Sequence, residues 1–197
     1  MATLIILIGV PGCGKSSLAA QLSQEWGCRV ISTDAIRAQL FGDEAIQGPW
    51  PLIWQEVQRQ FQESVQQIHH NQLAAAVYDA TNTRRRQRRE LIAVARQLGF
   101  TQITGIWLDL PLTICLQRNR QRARQVPETV VLRMQRQLVG APPHPSEGID
   151  WLIRYRGFGS KAAVPTTALY QNSRKIKGVE STGIAPVQQQ EPNTATS

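Results

Sequence analysis

The chain opens with an unbroken aliphatic run, Leu4-Ile5-Ile6-Leu7-Ile8. Such a run suits a central parallel strand, buried on both faces. Residues 17–22 follow with good helix formers and no breaker. Beyond Gly27, residues 28–32 are short and β-branched and predict a second strand. Residues 35–41 predict a short helix, capped by Thr33 or Asp34. Residues 42–51 hold Gly42, Gly48, Pro49 and Pro51 and predict a loop. Trp54, Val57, Phe61, Val65 and Ile68 then recur at three- and four-residue spacing. That period predicts a helix with one apolar face, ending near His69-His70. A histidine at that end complements the helix dipole.

The alternation continues. Residues 73–78 predict a third strand that ends in Asp79. Asn82 or Thr83 is expected to cap a helix running through Leu91, Ile92, Ala95 and Leu98 and stopped by Gly99. Residues 103–108 predict a fourth strand, and Pro111 opens the next helix. Val126-Pro127-Glu128 breaks that helix, and a further one turns Val130, Val131, Met134 and Leu138 inward. A Pro-rich loop at 140–148 leads to a fifth strand at 149–155. After Gly157-Phe158-Gly159 the composition shifts to Gln, Thr, Ser and Pro, so residues 157–197 are expected to be a disordered tail. Residues 1–156 are then one α/β domain with a mostly parallel sheet.

The turn after the first strand changes the picture. Gly9-Val10-Pro11-Gly12-Cys13-Gly14-Lys15-Ser16 has the form G-x-x-x-x-G-K-S, the phosphate-binding loop, in the strand–loop–helix context the motif needs. Its glycines let the backbone take turns that a Cβ would block. The loop N–H groups, from Gly9 through Ser17, then converge on an anion at a helix N-terminus. Lys15 is expected to reach the β- and γ-phosphates of a nucleoside triphosphate, and Ser16 to ligate Mg²⁺. Asp79, an acid ending an apolar strand, has the Walker B form and is expected to touch that metal or its waters.

Charge and composition narrow the partners. Of 197 residues, 22 are Lys or Arg and 14 are Asp or Glu, a formal charge of +8. The basic residues are mostly arginines concentrated between positions 84 and 136, which points to phosphate-rich partners. Arg84, Arg85 and Arg88 stand at the start of a helix, where each cation costs about 0.3–1 kcal/mol against the dipole. Either an external anion such as a nucleic-acid backbone meets them, or they form a solvated face. No apolar run is long enough to span a bilayer, so no membrane association is expected. Three cysteines without metal spacing suggest reduced thiols in a cytoplasm.

Asp34 and Arg37 lie three apart and share a helix face just beyond the second strand. Ligands of open α/β sheets bind at that edge. Asp34 is therefore placed to take a proton from an acceptor hydroxyl, and Arg37 to hold that acceptor's phosphate. The alternative is an N-cap aspartate beside a solvated arginine. Further on, Arg118 and Arg122 share a face at i, i+4, as do Arg120 and Arg124.

The combination of Gly9 to Ser16, Asp34-x-x-Arg37, Asp79-Ala80-Thr81-Asn82, Arg118-Asn119-x-x-Arg122 and Val126-Pro127-Glu128 resembles the kinase domain of phage and bacterial polynucleotide 5′-hydroxyl kinases. These belong to the wider group of P-loop kinases often labelled AAA domain. The resemblance covers residues 1–156 and implies a P-loop NTPase fold of three α/β/α layers, a five-stranded sheet like that of nucleotide kinases, and an arginine-rich helical lid after the fourth strand. It implies ATP with Mg²⁺ as donor, Asp34 as general base, Arg37 on the acceptor's 3′-phosphate, Arg122 on the donor phosphates and Asp79 in support. Arg118 and Arg122 would neutralise charge on the transferring phosphoryl. The chain departs from the family in carrying no D-x-D-x-T phosphatase motif and no ligase module. Kinases of small hydroxylated molecules and toxin kinases of sugar nucleotides share the architecture. The expectation is an ATP-dependent kinase of a hydroxyl, first the 5′-OH of a nucleic acid. The alternatives are a metabolite kinase or a non-catalytic ATP-binding module.

Overall fold

The computed structural model describes residues 1–156; the tail expected at 157–197 lies outside the described residues. Five strands form one sheet in the order β2-β3-β1-β4-β5. They are β1 (Thr3–Ile8), β2 (Arg29–Ser32), β3 (Ala76–Asp79), β4 (Gln102–Leu108) and β5 (Trp151–Tyr155). Every pairing is parallel, so the sheet is wholly rather than mostly parallel. Six helices connect them: α1 (Lys15–Trp26), α2 (Thr33–Phe41), α3 (Trp50–His69), α4 (Arg85–Gln97), α5 (Leu112–Arg120) and α6 (Glu128–Gly140). Helix α1 packs on β1, β2 and β3, and α3 on β2, β3 and α4; the right-handed crossover that parallel strands follow puts α1 on one face and α3 and α4 on the other. The layers are therefore α/β/α. Among the described residues no helix is long and apolar enough to cross a membrane.

The aliphatic run behaves as its composition demands. Leu4, Ile6, Leu7 and Ile8 of the central β1 are fully buried. Phe61 of α3 is sealed beneath the sheet, edge-on to Tyr78 at 5.7 Å and to Phe100 at 5.4 Å. Parallel pairing puts all strand C-termini on one edge. Ser32 stands opposite Asp79, and Ile8 opposite Trp107. The turns after β1, β2 and β3 thus open on one crevice, at the point where chain progression reverses beside β1.

Two helix starts differ from expectation. The Oγ of Ser32 accepts the Ala35 N–H at 3.4 Å and caps α2, so Thr33 and Asp34 already lie in its first turn. Asp34 is thereby released from capping. Helix α4 starts after Arg84, without a side-chain cap. Asn82, expected as that cap, instead takes a left-handed turn at φ 51° and donates from Nδ2 to the Leu7 carbonyl at 2.7 Å. Thr83 turns its hydroxyl to Gln137.

Arg88 is the main correction. Proposed as a nucleic-acid contact, it has no exposure at all. It lies at the core register of α4, with Leu91, Ile92 and Ala95 buried three, four and seven residues on. Its Nε and Nη2 grip both Glu147 oxygens at 2.6 and 2.7 Å. Nη1 donates to the carbonyls of Asn82 and Thr83, and Nη2 to that of Ala141. Glu147 ends a single 3-10 turn, Pro145–Glu147, and is itself buried.

A buried ion pair is costly to break, because the remaining charge is left without a partner. Arg88→Met is expected to lower the unfolding free energy by about 3–5 kcal/mol, measured by urea titration. Adding Glu147→Leu should restore part of that loss, because the orphaned carboxylate goes while the three carbonyls stay unpaired. A loss under 0.5 kcal/mol for Arg88→Met would contradict this role.

Candidate active site

The loop between β1 and α1 is built by its glycines. Gly12 and Gly14 take φ of +81° and +97°, where other residues are strained. A Cβ on Gly12 would lie 2.2 Å from the Cys115 carbonyl oxygen, so α5 presses directly against the loop. The Gly9 N–H donates to the Thr81 carbonyl at 3.0 Å, tying the loop to the segment after β3. Val10, Pro11 and Cys13 are buried, whereas Ser16 and Ser17 are exposed. Helix α1 has neither a side-chain cap nor an acid in its first turn. Its first N–H groups are left for an anion.

Lys15 is buried, and its Nζ bonds the carbonyls of Gly9 at 3.0 Å and Val10 at 2.9 Å, with Cys13 Sγ at 3.6 Å. All three ammonium protons are aimed back at the loop. Reaching a phosphate requires Lys15 to exchange these carbonyls for phosphate oxygens. Asp79 ends β3 at the crevice, where it lines the same cleft as Lys15 and Ser16. Its carboxylate takes no hydrogen bond or ion pair from any described residue. A hydroxyl and one free carboxylate are the hard oxygen donors that Mg²⁺ takes, with phosphates and water completing its shell. Among the described residues no group of three or more His, Cys, Asp or Glu is placed to hold a metal ion.

The cleft continues from the loop toward α2 and α3, with a volume of about 1000 Å³. Asp34 is half-exposed there. Arg37 Nη1 donates to its Oδ1 at 2.7 Å. Arg124, from the far side of the cleft, comes within 3.5 Å of Oδ2 and 3.6 Å of Glu44 Oε1. Arg37 is mostly buried, and its Nε has no hydrogen-bond partner. Beneath them Tyr78 is buried, which pushes its phenol pKa up; Arg37 pulls it down and Asp79 pushes it up, both more weakly. Tyr78 is therefore a neutral phenol on the cleft wall.

The arginine-rich hairpin closes the other side. Asn119 at the end of α5 is buried, donating to the Val126 carbonyl at 2.7 Å and accepting its N–H at 3.1 Å. These two bonds close the loop that carries Arg122 and Arg124. Arg122 lines the cleft. Arg118 does not; it stands over the phosphate loop, its Nη1 4.0 Å from where a Gly14 Cβ would be. Of Arg84, Arg85 and Arg88, Arg84 alone lines the cleft. Arg85 turns toward Ser146 and Glu147, at 3.5 and 3.7 Å.

The cleft thus brings Lys15, Ser16, Asp34, Arg37, Asp79 and Arg122 together and leaves Arg118 beside the phosphate loop, outside the cleft lining. Arg124 and Tyr78 escaped the sequence reading as site residues. The i, i+4 pairing of Arg120 with Arg124 was a signal for Arg124, but its carboxylate partners lie far along the chain. Within α5, Cys115 is buried, and burial pushes its thiol up to about 12.

Residues 4–141 match the model of a family described as AAA domain. Among solved structures, the chain is similar to a chain of the Pnkp1/Rnl/Hen1 RNA repair complex, at 21% identity and a TM-score of 0.58. That match covers 84% of this chain and 53% of the other, so this chain spans about half the length of that relative. A fungal RNA kinase matches at 14% identity and a TM-score of 0.61, over 92% of this chain and 91% of its own. A gluconokinase from Sinorhizobium meliloti 1021 matches at 19% identity and a TM-score of 0.54, over 89% and 94%. No curated protein matches the sequence significantly. At these identities the structural matches establish a shared fold, that of P-loop kinases.

The contact between Gly12 and α5 yields a direct test. Gly12→Ala is expected to displace the loop and weaken binding of a non-hydrolysable ATP analogue at least 10-fold, measured by calorimetry. Unchanged affinity would show that the loop tolerates a methyl group against α5.

Proposed function

This chain belongs to the AAA domain family, and on that premise we propose that it is an ATP-dependent kinase that moves the γ-phosphate of ATP to a hydroxyl, the 5′-OH of a nucleic acid first. The observation that carries the reading is Asp34. It is not spent on capping α2, it faces the cleft shared with the phosphate loop, and it is held by Arg37. The RNA repair complex and the RNA kinase among the similar structures support the choice of acceptor.

In this reading the loop from Gly9 to Ser17 binds the donor phosphates, and Lys15 leaves its loop carbonyls for phosphate oxygens. Ser16 and Asp79 would hold Mg²⁺, which would supply charge neutralisation on the phosphates. Asp34 accepts the acceptor's hydroxyl proton as that oxygen bonds to the γ-phosphorus and the bridging bond to ADP breaks. Arg37 holds the acceptor's phosphate. Arg118 and Arg122 neutralise charge on the moving phosphoryl, and Arg124 anchors the lid to Asp34 and Glu44. The protein's contribution is positioning and electrostatics.

A second reading, a kinase of a small hydroxylated metabolite, gains from one observation. Arg88 is buried, so the basic stretch offers less surface to a nucleic acid than its sequence suggests. The two readings separate on Arg85 and Arg89, which are exposed and do not line the cleft. Neutralising both leaves a metabolite's KM unchanged but weakens nucleic-acid binding and flattens its salt dependence.

The test is transfer of labelled γ-phosphate from ATP and Mg²⁺ to a short oligonucleotide with a free 5′-OH, against a 5′-phosphorylated control. Asp34→Ala is expected to lower the rate by about 10²–10⁴-fold with ATP affinity unchanged. Lys15→Ala is expected to lose transfer as well. Full activity in Asp34→Ala would exclude it as the base, and no transfer by the wild type would favour a small acceptor.

A further inference from the structure

The apolar stripe of α3 does not stay inside the core. Ile53, Val57, Phe61, Val65 and Ile68 are buried, but Trp50 and Leu52 in the first turn of the helix are exposed. Trp50 is 49% exposed, and Trp54 is part-buried. The sequence pattern places Trp54 on the apolar face; the structure turns it, with Trp50, into the cleft wall beside Asp34 and Arg37. Helix α2 packs against α3, and both pairs line the one cleft. The indoles are stacked, their ring centroids 6.1 Å apart and their planes at 17°.

An indole left half in water needs a reason, since burial is its usual fate. A near-parallel pair with one outer ring open to a cleft can extend its stack by one more flat ring. Polar chemistry on this side decides which ring. Arg84, Arg122 and Arg133 line the same cleft and make no ion pair among the described residues. Aromatic face and unpaired guanidinium are the combination that takes a base and its phosphate. A cleft of about 1000 Å³ exceeds what a donor nucleotide alone fills.

We propose that Trp50 and Trp54 form a stacking platform for a nucleobase of the acceptor strand. The inference rests on the nucleic-acid reading above and adds to it the element that recognises the acceptor. Stacking reads the face of a base and not its edge, so the platform selects an acceptor carrying a base and is indifferent to which base.

The experiment measures KM for a 5′-OH oligonucleotide and for versions made abasic at the first or the second nucleotide. In the wild type, one abasic position is expected to raise KM by about 5- to 100-fold. Trp50→Ala is expected to raise KM for the intact oligonucleotide by a similar factor and to remove the difference between intact and abasic substrates. Trp50→Phe should restore most of both effects, and KM for ATP should not move in either variant. Circular dichroism and ATP-analogue affinity verify that each variant is folded. Oligonucleotide phosphorylation with equal KM in wild type and Trp50→Ala, or with an abasic penalty that persists in Trp50→Ala, would overturn the platform and leave the kinase reading standing. Failure of the wild type to phosphorylate any oligonucleotide would overturn both.

Discussion

A guanidinium shut away from water must find partners for five N–H donors, and Arg88 finds all of them. Its bonds hold the Asn82 and Thr83 carbonyls, the chain after α6, and Glu147. Asn82 passes the constraint on by donating to Leu7 inside β1. Next to it the Thr81 carbonyl accepts the first N–H of the phosphate loop. One chain of hydrogen bonds therefore links a buried ion pair to the loop that would cradle the donor. Such networks are valuable only when every member is satisfied. Here that condition fixes the back wall of the cleft and the far end of the lid helix together.

The two halves of the cleft are built differently. The half proposed for the donor is backbone: glycine turns, a bare helix start, and a helix pressed so close that Gly12 has no room for a methyl group. The half proposed for the acceptor is side chains: a carboxylate between two arginines, a neutral phenol, and two stacked indoles. Backbone suits a ligand that never changes, the phosphates of a nucleotide. Side chains vary easily, which fits a fold whose relatives include an RNA kinase and a gluconokinase.

What the sequence revealed follows the range of the interactions involved. The phosphate loop, the strand-ending Asp79 and the Asp34–Arg37 pair are local, and the structure sets them around one cleft. The strand order and the wholly parallel pairing needed the folded chain. Arg88 was misplaced because its partner lies 59 residues away. Its register with Leu91, Ile92 and Ala95 was nevertheless visible and outranked its charge. The caps failed for a related reason. Asn82 was drawn off to the Leu7 carbonyl, 75 residues away. The nearer Ser32 captured α2 and freed Asp34 for the cleft. Trp54 fits the apolar period, but periodicity does not say where a core ends.

Asp34 is proposed to meet the acceptor hydroxyl, and a crystal structure with a non-hydrolysable ATP analogue, Mg²⁺ and a short 5′-OH oligonucleotide tests that role. The 5′ oxygen is expected within hydrogen-bond distance of an Asp34 oxygen and in line with the γ-phosphorus. An oligonucleotide bound with its 5′ end away from Asp34, while the analogue fills the phosphate loop, would contradict it.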